Sequence, residues 1–68
     1  MFNLGDKVTV KPIEGISRTM QRYIGQVGEV RHTAMEISPY SGNVSQVIRV
    51  FFDRMVCENS DLFEAVNA

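Results

Sequence analysis

His32 and Cys57 are the single histidine and single cysteine of this 68-residue chain, and they form the one pair that could make a thiolate nucleophile. A catalytic thiol needs a neighbouring base to take or hold off its proton. No motif surrounds either residue, so Cys57 is expected to be a small residue on a short strand and His32 a strand-surface side chain. Glu58 and Asp61 follow Cys57 closely, yet His32, Cys57, Glu58 and Asp61 lack the convergent spacing of three or four metal ligands. No metal and no cofactor is expected. The glycines of "GQVG", residues 25–28, come without the lysine and the strand-to-helix setting of a phosphate loop. A chain this short has little room for both a core and a deep substrate cavity, and the reading is that it is not an enzyme.

Binding chemistry has more to work with. Arg22, Tyr23 and Arg31 could combine phosphate neutralisation with base stacking. Against that, the net charge is −1, and nucleic acid calls for a clustered positive surface. The charge is uneven: up to Arg49 six basic residues face four acidic ones, and from Val50 onward Arg54 alone faces Asp53, Glu58, Asp61 and Glu64. The acidic end is read as a solvated surface. Polyproline recognition needs several clustered aromatics, usually including tryptophan. Here there is no Trp, and Tyr23 and Tyr40 each fall at a loop edge.

Apolar residues are 44% and charged residues 22% of the chain, ordinary usage for one globular domain spanning 1–68. The longest apolar runs, such as "VFF" at 50–52, fall far short of the ~20 residues that span a bilayer. No charged segment followed by an apolar one opens the sequence. One cysteine cannot form an internal disulfide, so the core must close by packing alone. A cytoplasmic, membrane-free protein is expected.

The elements that would position these residues read as strands. "LGDKVTVKP" alternates, with Val8 and Val10 on one face and Lys7, Thr9 and Lys11 on the other, until Pro12 ends the ladder. Residues 13–23 show no sustained period; Ser17 could cap a helical turn, but a long excursion loop is expected. In "YIGQVGEVRHT" the three-residue spacing of Ile24, Val27 and Val30 breaks strict alternation. A bulge at Gly28, taking positive φ, would turn Val27 and Val30 inward and bend the strand. Residues 34–45, with Pro39 and Ser41, Gly42, Asn43, read as a hairpin connection with a mobile tip. "VSQVIRVFFD" reads as the longest strand, with Ile48, Val50 and Phe52 in the core and Val47, Arg49 and Phe51 outside. "RMVCE", with Val56 inward, makes a fourth strand, Asn59, Ser60 and Asp61 a tight 3₁₀ turn, and "LFEAV" the last strand. The fold expected is all-β: a small five-stranded SH3-like barrel, its strands curved enough to leave few open edges.

"LGDKVTVKP", "GQVGEV", "VIRVFFD" and "DLFEAV" resemble the SH3-like barrels of the electron-transport accessory group, which includes a small accessory protein of photosystem I and the variable chain of ferredoxin-thioredoxin reductase. The first two stretches are similar to KOW-type domains as well. The first resemblance covers residues 4–66 and implies a barrel without a cofactor that docks on and stabilises a redox partner, through Lys11, Arg18, Arg22 and Arg31. The second assigns much the same residues to RNA or DNA phosphates.

The function expected is a protein-binding accessory module that docks on a larger protein or complex, with a nucleic-acid-binding barrel as the alternative. Its contact residues would be Lys11, Arg18, Arg22, Tyr23, Arg31, Tyr40, Val47 and Phe51. Val47 and Phe51 enter because an apolar outer strand face needs a cover. The oligomeric state is left open, since an edge strand at 55–58 could pair with its twin.

Overall fold

The computed structural model describes residues 1–66. Five antiparallel strands form one sheet: β1 (Lys7–Val10), β2 (Gly28–Ile37), β3 (Val44–Phe51), β4 (Met55–Asn59) and β5 (Phe63–Ala65). A short helix, α1 (Arg18–Gln21), lies between β1 and β2, and a 3₁₀ turn (Ser60–Leu62) precedes β5. The sheet runs in the order β4-β3-β2-β1-β5. Among the described residues no ladder joins β4 to β5, so the expected barrel is an open sheet with those strands at its edges.

Alternation places the core as expected. Val8, Val10, Ile48, Val50 and Val56 all point inward and are buried, and Phe63 of β5 joins them. Each such side chain removes its apolar surface from water, which stabilises the fold by roughly 1.5–3 kcal/mol. One buried polar residue among those described shares this face: Gln46 uses its carboxamide as a substitute ladder partner. It accepts from the Phe2 N–H at 2.9 Å and donates to the Phe2 carbonyl at 2.8 Å. Phe2 is thereby held against the core.

The loop after Pro12 is more ordered than its aperiodic sequence implies. Ser17 caps α1, its hydroxyl accepting from the Met20 N–H at 3.3 Å. One helical turn is enough to bring Ile16, Met20 and Tyr23 into the buried cluster. Four residues carry too little periodicity to be told from loop.

The two glycines of "YIGQVGEV" serve different ends, and neither makes the expected bulge. Gly25 has φ +88, a left-handed conformation that closes the turn ahead of β2. Gly28 has no positive φ. It lies opposite Val8, and a Cβ there would stand 2.6 Å from Val50 Cγ1 and 2.8 Å from the Phe52 ring. The missing side chain makes room for those two. The irregularity in β2 instead falls between Val30 and His32, at Arg31. The extra residue leaves Val30 buried while Arg31 and His32 are both exposed. Val27, expected inside, is exposed before the strand begins.

β2 is also the longest strand, at ten residues against eight for β3. It continues through what reads as a hairpin connection, and residues 38–43 alone make the turn, closed by Ser38 N–H to the Asn43 carbonyl and Gly42 N–H to the Ser38 carbonyl, both at 2.9 Å.

Candidate docking surface

β2 and β3 reach past the core as a two-stranded arm. Beyond Thr33 opposite Ile48 and Ala34 opposite Val47, where β4 still borders β3, its register pairs Met35 with Gln46, Glu36 with Ser45 and Ile37 with Val44. Paired residues share a face. Met35, Ile37 and Val44 therefore continue the inner face of Ile48 and Val50, yet they are 50%, 69% and 59% exposed. Tyr40, at the arm's tip, is fully exposed. Under the arm lies an open groove of about 400 Å³, lined in part by Phe2, Lys11, Met35, Val44 and Asp61.

The outer face of β3 carries Val47, Arg49 and Phe51 as expected. Val47 is half-buried and Phe51 is 38% exposed, with Met55 of β4 directly opposite Phe51 and 47% exposed. The Arg31 guanidinium stands 4.9 Å from the centre of the Phe51 ring and covers one side of it.

The basic residues do not gather into one surface. Lys7 and Arg31 both reach Glu29, whose carboxylate accepts from Lys7 Nζ at 2.9 Å and from Arg31 Nε. Those two hydrogen bonds, Lys7 first, hold the Glu29 pKa below the ordinary carboxylate range. Arg18 and Arg22 are exposed at α1, one turn apart, and Lys11 lines the groove instead.

Tyr23 is a correction to the expected contact set. Its ring is buried and stacks on Phe52, centres 4.5 Å apart and planes within 13°, and its hydroxyl donates to Asp53 Oδ1 at 2.6 Å. That hydrogen bond to a carboxylate, with desolvation second, raises the Tyr23 pKa, and the same bond lowers the Asp53 pKa. A side chain so enclosed cannot stack on a base; it fastens the α1 loop to the β3–β4 turn.

His32 and Cys57 face outward in one row, but Arg49 stands between them, paired with His32 on one side and Cys57 on the other. Two strand spacings separate them, about 10 Å. Among the described residues no three His, Cys, Asp or Glu side chains converge as metal ligands, and no helix is long and apolar enough to cross a membrane.

Met35, Ile37 and Val44 do not stand out in the sequence as surface residues. A signal is present in "AMEI", where Met35 and Ile37 alternate with Ala34 and Glu36, but the neighbouring Pro39 and Gly42 hide the strand. The chain matches no family model, no curated protein and no solved structure.

Proposed function

We propose that this protein is a non-enzymatic protein-binding module that docks on a larger protein or complex through the outer face of β3 and β4. The observation that carries the reading is the apolar set on that face, exposed Phe51 and Met55 beside half-buried Val47, with exposed Tyr40 at the end of the arm. An interface core draws on aromatic and methionine side chains flanked by arginine. Phe51 and Met55 lie side by side, with Arg31 over the ring and Arg49 next along β3. The dispersal of the basic residues favours a protein over a nucleic acid, because phosphate binding rests on clustered positive charge. The resemblance to electron-transport accessory barrels supports the same class of function.

The test is retention from native lysate on immobilised wild type and on Phe51→Ser, with and without nuclease, at low and high salt. A protein held by wild type after nuclease treatment, and lost with Phe51→Ser, supports docking. Nucleic acid released by high salt and by Arg22→Ala, with Phe51→Ser unaffected, contradicts it and supports the nucleic-acid barrel.

A further inference from the structure

We propose that the free edge of β2 pairs with the same edge of a second copy of this chain, antiparallel, about a two-fold axis at Ala34. β3 borders β2 along its length, but β1 borders it only at Gly28 and Glu29, with Val30 bonded to the lead-in at Gly5 and Asp6. Among the described residues, 31–37 have no ladder on that side, so their outward N–H and C=O groups form an open template. Edges of this kind are commonly guarded by lysine or proline. The stretch "RHTAMEI" contains neither.

Cross-strand complementarity chooses the register. An axis at Ala34 sets His32 opposite Glu36 of the second copy, and the reverse, so two imidazole–carboxylate pairs form on the outer face. On the inner face it sets Thr33 against Met35 of the second copy. Moving the axis to Thr33 places Glu36 opposite the buried Val30; moving it to Met35 places Glu36 opposite Ala34. Neither alternative joins His32 to a carboxylate.

The other edges fit a second copy less well. β5 offers three residues. β4 offers five, but an axis at its centre, Cys57, would set the buried Val56 against Glu58 of the second copy. Pairing through β2 makes a continuous sheet in the order β4-β3-β2-β2-β3-β4. It presents two outer faces side by side, so that a partner with two matching sites would be held bivalently. The pairing itself does not depend on the docking role, and purified protein alone tests it.

Sedimentation velocity of the wild type over a concentration series is the first measurement, and a reversible monomer–dimer equilibrium is expected. Glu36→Lys should weaken it about tenfold as both cross-strand pairs lose their carboxylate, while circular dichroism reports an unchanged fold. Paired Cβ atoms in such a ladder are ~4.5–5.5 Å apart, close to disulfide reach. Ala34→Cys in a Cys57→Ser background should therefore give a disulfide-linked dimer on mild oxidation. Wild type that stays monomeric into the millimolar range overturns the proposal. So does a dimer cross-linked by native Cys57 and indifferent to Glu36→Lys, since that places the contact at β4.

Discussion

The same two strands behave differently at their two ends. Near the bulge, Val30 of β2 sits opposite Val50 of β3, and both are essentially fully buried. Near the tip, Ile37 sits opposite Val44, and both are more than half exposed. All four are β-branched, and all four follow the same inward alternation. What differs is the cover: the first pair belongs to the cluster that includes Tyr23, Met20 and Phe63, and the second lies outside it, with Val44 bordering the open groove. Alternation says which face is apolar; it does not say whether anything lies on it.

The contrast is broken most severely by truncating one end and then the other. Ile48→Ala should lower unfolding free energy by about 2–5 kcal/mol, and Ile37→Ala should stay within about 0.5 kcal/mol of wild type, both by urea denaturation. A large loss from Ile37→Ala would mean that the arm is held by the chain after all.

The glycines sharpen the contrast at the buried end. Gly28→Ala should cost about 1–3 kcal/mol through overpacking, because its Cβ runs into Val50 and Phe52. Gly25→Ala should cost about 1 kcal/mol through backbone strain, with nothing near its Cβ to meet. A double-mutant cycle separates them: Val50→Ala should relieve the Gly28 substitution and leave the Gly25 cost unchanged.

A smaller effect follows from pH. The Asp53 pKa is depressed by its bond from Tyr23, so that contribution is present above the ordinary aspartate pKa of about 4 and is lost as pH falls through the folded value. The Tyr23 pKa is raised by the same bond, so its contribution is complete below about pH 10 and is lost as pH rises through the folded value. Tyr23→Phe should flatten the alkaline limb and shallow the acid limb, where Glu29 titrates too. A Tyr23→Phe protein with unchanged limbs at both ends would show that this bond contributes nothing to stability. A small loss is expected from Ser17→Ala too, at about 0.5–1 kcal/mol for the loss of a helix cap, read from the same denaturation series.

Much of the fold is legible because strands of period two advertise themselves. Val8 with Val10, Ile48 with Val50, and the turn at Asn59, Ser60 and Asp61 follow from local chemistry and stand where expected. Three features are not legible. α1 is a single turn, too short to repeat a helical period, and its role comes from what Met20 and Tyr23 meet across the fold. Gly28 is required by Val50 and Phe52, more than twenty positions along the chain, so no local spacing announces it. Tyr23 reads as a contact residue because it stands at a loop edge, and only the folded chain brings Asp53 to its hydroxyl. Of the outer face, Val47 and Phe51 follow from alternation, whereas Met55 enters through the register of β4.

Unfolding of Ile37→Asp beside wild type, at a protein concentration where both are monomeric, tests most directly whether the arm's inner apolar face lies outside the fold's own core. Unfolding free energies within about 0.5 kcal/mol of each other are expected, since Ile37 is 69% exposed among the described residues. A loss of about 2 kcal/mol or more, the scale of a core substitution, would contradict that and make the arm part of the fold's own interior.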